Sequence, residues 1–565
     1  MSEVPNFYRR TAEGPTPAQV RLEGTAKAAI DMGRARLVAV TAVFALCFVV
    51  LAVRLVDLTL VRPVDDTRVH ARAATATVAG RADITDRNGV LLATSLRTVS
   101  LFADPRAVAN PERVAAQLLS VLPGLDSGEV AVKLSHERSF VWIKRHLTPR
   151  QQDAVNRLGI PGLNFIDEMQ RVYPQGHLAA HVLGYAGIDN RGLAGVEKHF
   201  DDALRADPTK PLRLSVDVAV QHALQRELAA GMERFSATGA AGVVLDVTTG
   251  EVLALSSLPD FDPNRVTTST DDQRFNRAAL GVYEMGSTFK TFTAAVALDT
   301  GIVRLDGGYD ATNPIRVARF VIRDFHAQAR WLSVPEIFMY SSNIGAAKMA
   351  IDIGAERQRA FLDRLGLLRP AEIEIPEAGA PMVPSAWREI TTMTVAYGHG
   401  IAVSPVHLAA GVASLVNGGI KRPTTLIRRE GVASAGERVI TPETSEKMRR
   451  LLRLVVERGT GGQAAAPGYL VGGKTGTAEK TNAGGYDRSA LISSFVGVFP
   501  MNAPRYVVLV LFDEPKGIKE TFGFATGGWT AAPIVGAIIA RIAPILGVAP
   551  IDESANEIQS AMAIR

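Results

Sequence analysis

Three short strings, distant in the chain but fixed in order, constrain this sequence most. They are Ser287-Thr288-Phe289-Lys290, Ser341-Ser342-Asn343 and Lys474-Thr475-Gly476-Thr477. A fold that uses them together has to bring three separate segments into one cleft. Each string alone says little. The first is the only S-x-x-K in the chain, and chance alone supplies roughly one in a chain this long. A second S-x-N stands at Ser554-Ala555-Asn556. The ordered set is specific, because it names a nucleophile, its proton-handling groups and a cationic binding strand at once.

Phe289, Phe292 and Val296 recur at helical spacing, and Gly301 ends the pattern, so Ser287 falls at a helix N-terminus. Unpaired backbone N–H groups there favour developing negative charge. Lys290 lies one turn on, on the same face. A serine hydroxyl needs a base, and a lysine serves only when neutral, against an ordinary pKa of about 10.4. Burial and a second cation lower such a pKa, and Lys474 is the candidate cation. The plainer reading of this string alone is a capped helix with a surface lysine.

Ser341-Ser342-Asn343 follows an apolar stretch and precedes a helix-like Ile344 to Ile351. The Ser341 hydroxyl can relay a proton, and the Asn343 amide can hold a substrate amide. The plainer alternative is a helix cap. In the third string, Lys474 supplies positive charge, while Thr475 and Thr477 supply hydroxyl donors, a set suited to a carboxylate. Gly472, Gly473 and Gly476 leave room for a substrate along the strand edge. The backbone N–H groups of Ser287 and Thr477 are the candidate oxyanion hole.

Gly468 to Thr475 also satisfies G-x-x-x-x-G-K-T, the nucleotide-binding pattern. That motif needs a strand before it and a helix after it. Here Gly459 to Pro467 reads as loop, and Gly476, Asn482, Gly484 and Gly485 oppose a helix. His177 and His181 have metal-ligand spacing but no third ligand, so hydrogen-bonded, buried histidines are expected and no metal. Phe522, Phe524 and Trp529 read as packing.

The 62 Lys/Arg against 57 Asp/Glu leave a net charge of +5, with no dense basic block, which argues against nucleic-acid binding. One cysteine, Cys47, excludes an intramolecular disulfide and a cysteine-based zinc site. Leu37 to Val53 carries no charge and as a helix spans about 26 Å. Extended to residue 61 it reaches the ~30 Å of a bilayer core, with Arg54 snorkelling, and reads as an uncleaved signal anchor. Four Lys/Arg on each side leave orientation undecided by charge.

Pro5, Pro15 and Pro17 mark residues 1–36 as a flexible tail. Residues 62–230 read as short strands and loops, with a tight turn at Asn88-Gly89 and a helix opened by Thr148-Pro149. From 231, Ala241–Val247 and Glu251–Leu255 read as a hairpin, Tyr506–Phe512 as a strand covered on both faces, and Ser445–Val456 as helix. Strands at both ends with helices between predict an α+β fold, one antiparallel sheet packed by helices. The residues after Ile551 read as a loose polar tail.

Taken together, Gly286 to Lys290, Ser341 to Asn343 and Lys474 to Thr477 resemble the three motifs of the penicillin-binding transpeptidases. Arg81 to Gly89 resembles the first motif of the class B pedestal module. Arg171-Val172-Tyr173-Pro174 with Ala180 to Gly184 is similar to the second, and Gly192 to Glu197 with Phe200-Asp201 to the third. No glycosyltransferase module precedes them, which points away from class A. Tyr283-Glu284 and the run Lys474 to Lys480 are similar to septal members, of FtsI type. Met285 stands where those often have Pro, and Ala82 where the pedestal motif often has Gly.

The resemblance implies a division into residues 1–36 as cytoplasmic tail, 37–61 as transmembrane anchor, 62–230 as periplasmic pedestal (dimerisation) domain, 231–550 as transpeptidase domain and 551–565 as tail. It implies D,D-transpeptidation of peptidoglycan stem peptides through a Ser287 acyl-enzyme during septal wall synthesis, with no cofactor. Ser287, Lys290 and Ser341 are then catalytic. Asn343, Lys474, Thr475, Gly476 and Thr477 bind substrate. β-Lactams act as inhibitors, and a membrane-embedded glycosyltransferase and other division proteins are partners. The implied place is the bacterial inner membrane at the septum, N-terminus in the cytoplasm and bulk in the periplasm. Three other readings compete: an elongation enzyme of the same class, a β-lactamase, and an inactive membrane-anchored scaffold. Length, the anchor and the N-terminal module oppose the β-lactamase. The intact Ser287, Lys290 and Lys474 oppose the scaffold.

Overall fold

The computed structural model describes residues 38, 40–52, 80–317, 320–429, 436–482 and 485–563. The chain divides into two units, Met1–Thr77 and Val78–Arg565. In the first, residues 40–52 are helical and every one is exposed, Phe44, Leu46 and Phe48 to more than 60%. The expected tail at 1–36 and the rest of the expected anchor, residues 53–61, lie outside the described residues. Among the described residues, no helix is long and apolar enough to cross a membrane.

The second unit opens with a sheet in which β1 (Leu91–Ala103) pairs antiparallel with both β2 (Val141–Leu147) and β3 (Leu163–Val172). One face is covered by α1 (Pro111–Val121), α2 (Ser127–Leu134) and α3 (Pro149–Asn156), which bury Leu101, Leu118, Leu134 and Ile143 in a common core. The expectation of short strands and loops missed α1 and α2, although Val114/Leu118 and Val130/Leu134 recur at i, i+4. The local expectations hold: Thr148 caps α3 with Pro149 in its first turn, and Gly89 takes φ +90° in a turn whose N–H groups at Asn88 and Val90 donate to the Asp86 carboxylate.

The three pedestal motifs meet in one buried polar cluster. Arg81 donates from Nε to Glu197 Oε2 at 2.8 Å and also pairs with Asp201. Arg171 Nε donates to Glu197 Oε1 at 2.6 Å, and the Tyr173 hydroxyl donates to the same oxygen at 3.3 Å. The side chains of Arg81 and Glu197 are fully buried. Burying these charges is tolerable only because each is paired and hydrogen-bonded.

After α4 (Val218–Arg234) comes the hairpin of β4 (Gly239–Asp246) and β5 (Val252–Leu258), turning at Gly250 with φ +78°. The helical middle includes α5 (Lys290–Asp299), α6 (Asn343–Ile353), α7 (Pro405–Val416) and α8 (Pro442–Arg458). β6 (Gly472–Asn482), β7 (Gly485–Phe499) and β8 (Tyr506–Asp513) follow, then α9 (Ala531–Ile545). The five strands form one antiparallel sheet in the order β6-β7-β8-β4-β5. Alternation along β8 explains its unbroken apolar run. Val508, Val510 and Phe512 face α4 and α9, while Val507, Leu509 and Leu511 face the core that holds α5, α7 and α8.

The final segment, expected to be loose, carries a helix at Asn556–Met562. Ile551, Ile558 and Met562 pack on the core, and Arg453 Nη2 pairs with Glu553 at 2.9 Å.

Candidate active site

Ser287 rides on a 3-10 turn, Gly286–Phe289, that runs directly into α5. Gly286 takes φ +53°, and a Cβ there would stand 2.3 Å from the Thr477 carbonyl oxygen and 3.1 Å from the Thr477 nitrogen. Only glycine fits. The contact lays the start of the catalytic turn against β6 and brings the backbones of Ser287 and Thr477 side by side. Gly398, with φ +77°, presses on the same turn from behind; a Cβ there would lie 2.2 Å from the Gly286 oxygen.

α5 is buried on all sides from Lys290 to Leu298, so the Lys290 amine lies inside the protein. Its Nζ is 2.7 Å from Ser287 Oγ, 2.7 Å from the Ser341 carbonyl oxygen, 2.7 Å from Asn343 Oδ1 and 3.1 Å from Ser341 Oγ. Lys474 Nζ, from β6, reaches Ser341 Oγ at 3.0 Å. One hydroxyl thus bridges the two amines. Ser341 holds φ +60°, a left-handed conformation that costs a non-glycine residue on the order of 1–3 kcal/mol. The surrounding structure imposes it, and it places the Ser341 carbonyl and hydroxyl on the same amine.

Burial, then the charge of Lys474, hold the Lys290 amine well below the ordinary lysine pKa, while Asp324 opposes them. Burial pulls Lys474 down to about 7. A neutral amine has two N–H groups and one lone pair. The Ser341 carbonyl and Asn343 Oδ1 can only accept, so they take the two N–H groups. The lone pair is left for the Ser287 hydroxyl proton. The arrangement is that of an activated serine nucleophile.

All three strings therefore converge, and the capped helix with a surface lysine is ruled out. Ser342 is indeed the cap of α6, accepting from Gly345 N at 3.0 Å, so cap and site coincide. Asn343 is more committed than expected: Oδ1 serves Lys290, and Nδ2 donates to the Arg323 oxygen at 2.9 Å, leaving one amide N–H. Thr475 Oγ1 meets Thr460 Oγ1 at 2.9 Å, and Thr477 Oγ1 accepts from Gly527 N at 3.1 Å.

The glycines of the third string serve a different purpose from the one expected. A Cβ on Gly472 would meet Met501 at 2.2 Å, one on Gly473 the Phe495 ring at 2.5 Å, and one on Gly476 Ser494 Oγ at 2.4 Å and the Met285 oxygen at 2.5 Å. They admit neighbouring protein, not substrate.

The nucleotide-loop match fails, because Lys474 and Thr475 lie inside β6 and no helix follows. His181 is buried and bonded to the Gln273 oxygen at 2.9 Å, as expected, with burial pulling it down to about 4. His177 is instead 64% exposed beside Asp260. Among the described residues, no group of side chains could hold a metal ion. Phe522 and Phe524 pack against the Trp529 ring, as expected, and they do so at the exposed surface. Sequence reasoning missed Gly398, Asp324 and Thr460, and it named Gly286 within the first motif without assigning it a purpose.

Such a cleft on such a sheet defines a serine acyltransferase. Residues 240–540 match the penicillin-binding protein transpeptidase domain, and residues 76–211 match the penicillin-binding protein dimerisation domain. The chain is 43% identical to the probable peptidoglycan D,D-transpeptidase FtsI of Caulobacter vibrioides over 483 residues, covering 83% of this chain and 82% of the relative. It is 33% identical to the probable peptidoglycan D,D-transpeptidase PenA of Neisseria meningitidis, covering 84% of this chain and 85% of that one. Its fold matches penicillin-binding protein 3 of Mycobacterium tuberculosis, solved with aztreonam, at a TM-score of 0.67 and 23% identity, over 84% of this chain and 98% of the other. The chain belongs to the class B penicillin-binding proteins, of FtsI type.

Proposed function

We propose that this protein cross-links peptidoglycan at the division septum as a D,D-transpeptidase with Ser287 as nucleophile. The observation that carries the assignment is the Lys290 amine, buried and 2.7 Å from Ser287 Oγ. Ser287 Oγ attacks the penultimate D-Ala carbonyl of a donor stem peptide, and its proton passes to Lys290. The oxyanion is held by the Ser287 and Thr477 N–H groups. Lys290 gives the proton to the departing terminal D-Ala amine, with Ser341 as relay, and an ester remains on Ser287. An amine from a neighbouring stem attacks that ester, loses its proton to Lys290, and Ser287 Oγ recovers it. Lys474, Thr475 and Thr477 hold the donor's terminal carboxylate, Gly476 keeps β6 against the catalytic turn, and Asn343 offers its remaining N–H to the donor backbone. The peptide bond's energy is kept in the ester, so no nucleotide is needed. β-Lactams, which mimic the donor, are trapped at the same oxygen.

The apolar run at residues 37–61, uncharged from Leu37 to Val53, acts as a single inner-membrane anchor, with residues 1–36 in the cytoplasm, a pedestal at 62–230, a transpeptidase domain at 231–550 and a C-terminal segment at 551–565. The exposed apolar helix at 40–52 supports that reading. A membrane-embedded glycosyltransferase and other division proteins are the expected partners. Labelling the full-length protein with a fluorescent penicillin and mapping the adduct tests the assignment. A stable adduct on Ser287, absent from Ser287→Ala, supports it; an adduct that persists in Ser287→Ala overturns it. Localisation of a fluorescent fusion to the lateral wall instead of midcell would move the enzyme to elongation.

A further inference from the structure

The Ser341–Asn343 turn is held by a segment outside all three motifs. The short strand Phe320–Ile322 is anchored by Ile322, which packs against Ala347 of α6 and against Met393. The next two residues close on the turn. The Arg323 carbonyl accepts from Asn343 Nδ2 at 2.9 Å. The Asp324 carboxylate accepts twice, at Oδ2 from Ser342 Oγ at 2.7 Å and at Oδ1 from Ile344 N at 2.9 Å. Ser342 Oγ is thereby oriented to accept from Gly345 N at 3.0 Å. These bonds bracket Asn343, whose Oδ1 faces the catalytic amine, and follow directly on Ser341, whose strained backbone faces it too.

We propose that Asp324 is a positioning residue for acyl transfer: it fixes the Ser341–Asn343 turn against the Lys290 amine, and its carboxylate bonds Ser342, the residue between the two that hold that amine. The inference rests on the transpeptidase reading of the site. Among the described residues, two charged groups bear on Lys290. Lys474 acts from β6 and opposes its protonation, and Asp324 acts from beyond the short strand and favours it. The oxygens of Ser287, Ser341 and Asn343 are neutral. Asp324 therefore keeps Lys290 basic enough to accept a proton in a site that burial and Lys474 would otherwise render too weakly basic.

The sign follows. Removing the carboxylate disfavours the protonated amine, so Lys290 stays neutral to lower pH and becomes a weaker base. The test measures the rate of fluorescent-penicillin adduct formation by the full-length protein against pH, for wild type, Asp324→Asn, Asp324→Glu and Ser342→Ala. Asp324→Asn should lose about 10-fold or more at its plateau, with its rising limb moved to lower pH by about half a unit or more. Asp324→Glu should recover part of the rate and return the limb towards wild type. Ser342→Ala, which loosens the turn but keeps the charge, should slow the reaction with the limb unmoved. An Asp324→Asn limb that coincides with the wild-type limb, at any rate, overturns the proposal. Should Asp324→Asn not fold, wild-type kinetics in Ser342→Ala overturn it instead. Failure of the wild type itself to form an adduct strikes at the transpeptidase reading, a separate result.

Discussion

The Lys290 amine stands 2.7 Å from the Ser287 hydroxyl oxygen, and its two N–H groups are committed to the Ser341 carbonyl and Asn343 Oδ1, each also at 2.7 Å. The neutral amine therefore meets the Ser287 hydroxyl with its lone pair. A guanidinium cannot do this, because it holds its protons at every accessible pH. Lys290→Arg should lower penicillin acylation by about 10²–10⁴-fold, the range for loss of a general base, and Lys290→Ala by a similar factor. Stopped-flow or gel-based adduct kinetics on the purified protein check both.

Acylation should depend on pH through both lysines. The rate rises as Lys290 loses its proton, at a pH well below the ordinary lysine range because of burial and Lys474. It falls again as Lys474 loses the charge that holds the ligand carboxylate, near pH 7 in the free enzyme. A bell-shaped profile of the second-order acylation rate is expected. A penicillin methyl ester, lacking the carboxylate, should lose the falling limb.

Lys474 has no exposed surface, and burial pulls its amine down to about 7. The unfolded chain keeps that proton up to about pH 10.4, so between the two values the unfolded state binds more protons and stability rises with pH. Lys474→Met should stabilise the fold by about 1–3 kcal/mol at neutral pH and by less as pH approaches 10, while adduct formation drops by about 100-fold or more. Thermal melts at several pH values, alongside labelling, measure the two effects.

Glu197 is the hub of the pedestal cluster, with Arg81 on one oxygen and Arg171 on the other. Removing it strands the buried Arg171 guanidinium and leaves Arg81 with Asp201 as its remaining counter-charge. Glu197→Ala should cost about 3–5 kcal/mol in denaturant unfolding, and Glu197→Gln less, because the amide oxygen still accepts.

Much of this was legible in the sequence where neighbouring residues carry the information. Ser287 and Lys290 share a helical face, Ser342 caps the helix it precedes, and the run Tyr506–Phe512 reports a strand buried on both sides. What escaped is long-range. Asp324 precedes Ser342 by a loop, a short strand at Trp331–Ser333 and a helix at Val334–Met339, with no motif of its own, and Gly398 acquires its meaning only from contact with Gly286. Gly472, Gly473 and Gly476 were read as leaving room for a substrate, and the protein itself fills that room. One dimension cannot say whether a ligand or the protein fills that room. α1 and α2 were missed because their apolar residues, such as Leu119 and Val132, also fall off the buried face and blur the period in so short a helix.

The contact of Gly286 with Thr477 and of Gly398 with Gly286 leaves no space for even a methyl group. Under selection by a drug that imitates the substrate, the chain cannot change there without losing its own chemistry. Escape has to come from places where a new side chain meets open solvent, as at the exposed Phe522 and Phe524. The floor of the cleft is thus the part of this target against which an inhibitor keeps its grip longest.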